Sequence, residues 1–518
     1  MASGEFYPTF AICLKESSDV QPLKFAGTIK SVAPYACQKR NISFNLLTHG
    51  LGYSVNLHNN CQCNEAISLC NRHGVVPDVK FDNHLWRNIT RETEQFYTEH
   101  LEPSSYSELV SRYSGNKRRR YEKAQINLLC NAYENRYNYV EAFIKLDKMP
   151  TNKIKTKPPR MIQCRAAEYN LSFSRFIHPF EKTYYPKLIY GDVSGTRIVA
   201  KGLNPQERAE LLLHKSKHFK RPRFFSGDHK TFDAYVNKYH LKSTHRKYKK
   251  HFNSKALHKC CKTQLLNKGL TRNGIRYNID GTRMSGDPDT GLGNTLVNSD
   301  AIYGVLRQRG ITKYSILLDG DDFVVILEDG EEITGSDFIP FGFKTEIEDS
   351  LLLSAVEFCQ SRIVMTPERL TFVRNPERML SNSRVCRKVY RPDEYVHWLA
   401  SVGMCENSLY GDMPIYSAYA QSLLKFGYPS LIDRDMQRRM EGTMMDDRNK
   451  IVHPSTRVSF YEAWGVPPSV QIEVEQYLTS ACMLDLDCFG HNDKPLQAAE
   501  TTRRLLAKCS SSRWWYGG

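Results

Sequence analysis

No stretch of the 518-residue chain approaches the roughly 18 consecutive apolar residues that a membrane-spanning helix needs, so no span is expected. The chain carries 15 cysteines but no Cys-x-x-Cys pair and no secretory leader at its start. Reduced thiols in a cytosolic protein are the expectation. Cys61, Cys63, Cys70 and His73 lie close in sequence, as do Cys482, Cys488 and His491, yet neither spacing fits a common zinc site. Internal repeats and low-complexity linkers are also missing, so domain edges have to be read from motifs.

What is present is apolar, aromatic and basic. With 41% hydrophobic and 11% aromatic residues the chain can bury real cores, and its length suggests about three domain-sized parts. A formal charge of +16 points to a polyanionic partner. Basic clusters stand at Lys117-Arg118-Arg119-Arg120, from Lys217 to Arg223, and at His245 to Lys250, the last with aromatics interleaved. Any one of them alone reads as a merely solvated basic face; the net excess favours nucleic acid.

The chemistry-bearing pattern is one of carboxylates. Gly320-Asp321-Asp322 separates two apolar arms, Tyr314 to Leu318 and Phe323 to Leu327, which predicts a β-hairpin with Asp319-Gly320 as its turn pair. Adjacent ionised carboxylates beside buried strands repel each other and are tolerated where cations sit at the tip; an ordinary solvated turn is the plain alternative. Upstream, an aromatic strand through Phe224 and Phe225 is expected to end at Gly227, with Asp228 next and Asp233 five residues on. Ser285 to Thr295 reads as a Gly-rich loop entering a helix, with Thr290 and Asn294 four apart on one face.

In that order, these segments resemble motifs A, B and C of viral RNA-dependent RNA polymerases, and their flanks resemble the tombusvirus family and its close relatives. Glu357-Phe358-Cys359-Gln360 with Phe372 to Pro376 is similar to motif E and its sequel. Arg112 to Arg118, Tyr121 to Ala124 and Arg160 to Arg165 are similar to fingers segments, and Arg457 to Pro467 with Gln471 to the thumb. The likeness runs from about His58 to Glu475.

The resemblance implies an α+β right-hand fold. Fingers would occupy residues 1–190 with an insertion at 236–280. The palm, an antiparallel sheet carrying the Gly-Asp-Asp hairpin, would occupy 191–235 and 281–375. A mostly helical thumb would take 376–518, with helical patterning through Tyr390–Phe426 and Val470–Leu478. It implies RNA-directed RNA synthesis on a positive-strand viral genome by two-metal nucleotidyl transfer. Asp228, Asp321 and Asp322 would hold two Mg²⁺ ions, for which Mn²⁺ could substitute. Lys157, Arg160 and Arg165 would meet the triphosphate, and Lys344, in a motif D-like stretch, would protonate the leaving pyrophosphate. Asp233, Ser285, Thr290 and Asn294 would read the ribose, and Lys117, Arg118, Arg119 and Arg120 would bind RNA. The implied partners are RNA template and nascent RNA, ribonucleoside triphosphates and a membrane-anchored viral replication protein. The implied setting is the host cytoplasm, at membrane-bound replication complexes.

Two rivals remain at this point. A reverse transcriptase shares the paired aspartates but usually lacks the Asp233, Ser285, Thr290, Asn294 set. A non-enzymatic basic RNA-binding protein accounts for the charge but not for carboxylates at three strand or loop ends.

Overall fold

The computed structural model describes residues 10–13, 15–34, 42–46, 55–383, 385–386, 390, 392–440, 442–446 and 450–487; Cys488 and His491 lie outside them. The strand formers around the Gly-Asp-Asp triplet build a four-stranded antiparallel sheet, in the order Ser315–Asp319, Asp322–Glu328, Pro222–His229, Thr345–Ser350. Side chains alternate across it. Phe225, Ile316, Leu318, Phe323, Val325 and Leu327 enter one core, while Phe224, Leu317, Val324 and Ile326 enter another. Because both faces are covered, the arms read as continuous apolar runs rather than as alternating ones.

The helix Thr290–Gln308 contributes Leu296, Val297, Ile302 and Val305 to the first core. On the other face lies the helix Pro205–Ser216, through Ala209 and Leu212. Its start is fixed by a capping box between Asn204 and Glu207, with proline in the first turn.

A second sheet gathers strands distant in sequence, in the order Thr28–Ser31, Ile275–Asp280, Leu266–Thr271, Val140–Ile144, Met161–Cys164. Its pairings are antiparallel except for Leu266–Thr271 against Val140–Ile144, which is parallel. This sheet carries the Ser285 loop to its edge strand. The Gln163 amide donates to Ser285 Oγ at 3.2 Å, and the Gly286 amide donates to the Gln163 carbonyl at 2.8 Å.

The helical patterning expected near the C-terminal end falls on Pro392–Tyr410, Tyr416–Leu424 and Pro468–Asp487, joined by Pro454–Trp464. Leu399, Tyr416, Phe460 and Leu478 belong to the core of this region. The hairpin Ser361–Met365/Leu370–Arg374 bridges to the four-stranded sheet: Val364 and Val373 enter the helical core, while Ile363 and Phe372 pack with Leu317 and Val324. The class is α+β with antiparallel sheets and many helices, as expected. Among the described residues no helix is long and apolar enough to cross a membrane.

Candidate active site

The hairpin places its charge differently from the sequence reading in one respect. Asp319 stands in the strand directly opposite Asp322, so the two-residue turn is Gly320-Asp321 rather than Asp319-Gly320. Gly320 has φ +74°, a left-handed value that favours glycine in such turns. Asp319 is then neutralised from outside the hairpin, by Lys201 and by Arg208 at 2.7 Å. Asp321 and Asp322 have no such partner among the described ion pairs.

Asp228 also departs slightly from expectation, because its strand runs on past Gly227 to His229. Gly227 lies opposite Phe323, and a Cβ there would come within 2.0 Å of the Phe323 ring. Only glycine lets the aromatic ring lie over this strand, and the sheet continues through it. Asp228 is exposed beside the hairpin tip, with Glu346 opposite on its other side.

The electrostatics record uncompensated charge. Burial raises the pKa of Asp322 to about 7, reinforced by Asp321, Asp228 and Asp319. Partial desolvation, then Asp321 and Glu346, raise Asp228, and burial raises Asp321. Among the described residues no three His, Cys, Asp or Glu side chains already form a metal cage. The donor set nonetheless fits Mg²⁺, which takes hard oxygens and usually binds through one or two carboxylates, completing its shell with water and substrate phosphate.

A buried asparagine locks these elements together. Asn298 Nδ2 donates to the carbonyls of Gly320 and Asp321 at 3.0 and 3.1 Å, and its Oδ1 faces His229 Nε2 at 3.0 Å. The other His229 nitrogen meets Thr345 Oγ1 at 2.8 Å. Burial lowers His229 to about 4, so the ring is neutral and serves as a fixed link. Helix, hairpin tip, Asp228 strand and outer strand are thereby held in one register.

Asp233 and Asn294, 61 residues apart, do meet: Asn294 Nδ2 donates to Asp233 Oδ1 at 2.8 Å. Burial raises Asp233 to about 6, against the opposing hydrogen bond from Asn294. Ser285 and Thr290 shape the loop between them and the second sheet. Ser285 Oγ lies 3.3 Å from the Met161 carbonyl, and Thr290 Oγ1 donates to the Met284 and Asp287 carbonyls at 2.8 and 2.9 Å.

The cations divide. Arg160 is exposed, paired with Asp147 at 2.5 Å, and within electrostatic reach of Asp321. Lys157 is exposed; desolvation and the neighbouring Lys153, Arg72 and Arg378 lower its pKa. Arg165 is a correction. Its side chain is 0% exposed and pairs with Asp287 at 2.8 Å, while its other nitrogens donate to the Asn138 carbonyl and Asn267 Oδ1. Fully buried, and with each of its three guanidinium nitrogens bonded inside the protein, it does not face a triphosphate. Lys344 Nζ pairs with exposed Asp78 at 2.9 Å rather than with any of the three carboxylates, and Tyr235 donates to the same aspartate.

Lys117, Arg118, Arg119 and Arg120 lie on the helix Gly115–Cys130. Lys117 sits over the Tyr113 ring at 4.0 Å, Arg118 pairs with Glu122 at 2.8 Å, and Arg119 donates to Asn116 at 2.6 Å. Lys117, Arg112 and Tyr121 line a cavity of about 310 Å³ together with Glu181 and with Gly286 and Pro288, from the loop that leads to Thr290.

The conjunction of carboxylate strand, polar loop-helix and carboxylate hairpin is matched by comparison with known proteins: the model of the viral RNA dependent RNA polymerase family aligns with residues 28–485. The chain belongs to that family. The RNA-directed RNA polymerase of Oat chlorotic stunt virus is 30% identical over 73% of this chain and 54% of its own length. That of Melon necrotic spot virus is 29% identical over 82% and 57% respectively, and that of Groundnut rosette virus 27% over 84% and 54%. The chain spans about half the length of the curated relatives it matches.

Several residues of this candidate site escaped the sequence reading. Asn298 could have been found, since it stands four residues beyond Asn294 and shares its helix face. Glu346, Lys201 and Arg208 could not, because only strand pairing and tertiary packing bring them to Asp228 and Asp319. Arg72 is similar: it belongs to the short wide turn Leu69–His73, and the fold sets it within electrostatic reach of Arg160, Asp147 and Asp233.

Proposed function

We propose that the chain is an RNA-directed RNA polymerase that replicates a positive-strand viral genome. The observation that carries this reading is the convergence, beside one hairpin tip, of three mutually repelling carboxylates with the Asp233–Asn294 pair. In this reading the four-stranded sheet is the palm (191–235 and 281–375), the second sheet and its helices are fingers (1–190 and 236–280), and the helical region is the thumb (376–518).

Asp228 and Asp321, with Asp322, would hold two Mg²⁺ ions, or Mn²⁺ in their place. When bound, such ions supply the acidity that frees the primer 3′-oxygen and the charge that stabilises departing pyrophosphate. Around them the chain's own groups orient the reactants. Arg160 and Lys157, joined by Arg72, hold the triphosphate in line, so that the 3′-oxygen forms its bond to the α-phosphorus as the bond to the β-phosphate oxygen breaks. Asp233 and Asn294 take the ribose, and Ser285 and Thr290 set the loop that presents them. Lys344, just before the outer strand at the end where Glu346 faces Asp228, would give the leaving pyrophosphate its proton after parting from Asp78. The template reaches the site along the Lys117 to Arg120 face, where a cavity with basic and aromatic walls meets the Gly286–Pro288 loop.

The partners are then RNA template, nascent RNA and ribonucleoside triphosphates. The family resemblance further supports work in the host cytoplasm at membrane-bound replication complexes, through a membrane-anchored viral replication protein. The test of the activity is extension of a labelled primer on RNA and DNA templates with ribo- and deoxyribonucleotides plus Mg²⁺. Ribonucleotide incorporation on RNA is expected; deoxynucleotide incorporation alone would indicate a reverse transcriptase, and RNA binding without incorporation a packaging protein.

A further inference from the structure

The Asp233–Asn294 pair depends on a residue that neither reads the sugar nor touches the carboxylate cluster. Arg283 is 1% exposed and Asn294 6%. The Arg283 amide donates to the Asp233 carbonyl at 2.8 Å, and its Nε donates to Asn294 Oδ1 at 3.2 Å. A guanidinium has donors and no acceptor, so the Asn294 atom it faces must be the oxygen. The amide nitrogen is therefore turned to Asp233, where it donates to Oδ1. Asp233 Oδ2 keeps no protein donor among the described residues.

Arg283 is itself held from behind. One terminal nitrogen donates to Asp289 Oδ2 at 2.7 Å, Asp289 Oδ1 accepts from Gln264 at 2.7 Å, and Gln264 Oε1 faces His245 at 2.8 Å. Gly293 completes the seat, because a Cβ there would meet the guanidinium at 2.2 Å. Burial lowers His245 to about 4, so the far end of the chain is neutral and fixed.

We propose that Arg283 is a positioning residue for sugar selection: it fixes the Asn294 amide so that Asn294 donates to one oxygen of Asp233 and leaves the other for the ribose 2′-hydroxyl. This rests on the proposed ribose role of Asp233 and Asn294. Without the Nε donor the amide can turn its oxygen toward the Asp233 carboxylate, and the repulsion would displace both groups. A ribonucleotide would then lose its hydroxyl partner, whereas a deoxynucleotide has none to lose.

The experiment compares kcat/KM for ATP and 2′-dATP in wild type, Arg283→Lys, Asn294→Ala and the double variant. Lysine keeps a positive charge for Asp289 but offers no planar Nε donor. Arg283→Lys is expected to shrink the ribose preference about tenfold, and to shrink it no further in the Asn294→Ala background, since the two act as a unit. A wild-type preference in Arg283→Lys, with a reduced one in Asn294→Ala, would overturn the positioning role and leave the ribose pocket standing. Fully additive losses would overturn it too. An unchanged preference in Asn294→Ala would instead sink the ribose reading beneath it. Should Arg283→Lys fail to fold, Arg283→Met with Asp289→Leu removes both charges of the buried pair and is judged on the same ratio. A tenfold fall supports the proposal and an unchanged ratio overturns it.

Discussion

The hairpin tip and the polar interior behind it handle charge in opposite ways. Asp228, Asp321 and Asp322 stand together with their pKa values pushed up. Arg165–Asp287, Arg283–Asp289, Lys247–Asp300 and Lys215–Asp192 are all pairs with side chains at most 1% exposed, each closed at 2.6 to 2.8 Å. A buried charge with its partner holds the fold, and removing one member leaves the other stranded. Like charges left beside one another hold nothing together, and their repulsion is relieved only by something that arrives. Arg160 and Arg165 make the same contrast within six residues: one exposed, the other enclosed.

The largest expected effect lies at the tip. Asp321→Asn or Asp228→Asn should lower nucleotide incorporation about a thousandfold or more, since several kcal/mol of transition-state stabilisation go with a lost metal ligand. RNA affinity should survive, and the melting temperature in chelator should not fall, because a repelled charge has been removed. A variant that polymerised near the wild-type rate would erase the distinction between the two regions.

The interior should show the reverse. Arg165→Met strands Asp287 in a dry site and should cost about 3–5 kcal/mol in denaturant unfolding. A change of less than about 1 kcal/mol would mean that water reaches the pair and that Arg165 belongs with the exposed cations after all.

The smallest effect sharpens the comparison through pH. His240 and His245 are pushed down by burial to about 3 and about 4. Their folded pKa values lie below the unfolded one, so the stability they contribute is complete above about pH 6.5 and is lost progressively towards pH 4. Asp322 has the opposite sign: an acid raised to about 7 binds its proton more tightly when folded, and it regains stability over the same window. In chelator, then, Asp322→Asn should make the acid-side loss of melting temperature steeper than in wild type. Parallel curves would show that Asp322 is not crowded by its neighbours.

Much of this was legible in the residues. The two apolar arms of the hairpin, the Gly-rich loop entering a helix at Thr290 and the helical C-terminal region all follow from local pattern. So does the family, because motif order survives where overall identity is low. Arg165 was misplaced because an arginine beside a strand looks the same whether it faces solvent or a buried aspartate 122 residues away. Asp319 was read only as a turn residue, because nothing local shows that it stands in the strand opposite Asp322 with Lys201 and Arg208 as its partners.

The sequence by itself determined which segments form strands and helices and which carboxylates the chain offers, since these depend on side-chain period, turn chemistry and residue type within a few positions. Only the tertiary structure decided which charges are matched. Pairing is a matter of distance and desolvation, and residues such as Asn298, Arg283 and Glu346 come to the site through packing across 20 to more than 100 residues of chain. The proposed function needs both: carboxylates that the sequence supplies, and a fold that pairs Arg165, Arg283, Lys247 and Lys215 with buried aspartates while leaving Asp228, Asp321 and Asp322 beside one another.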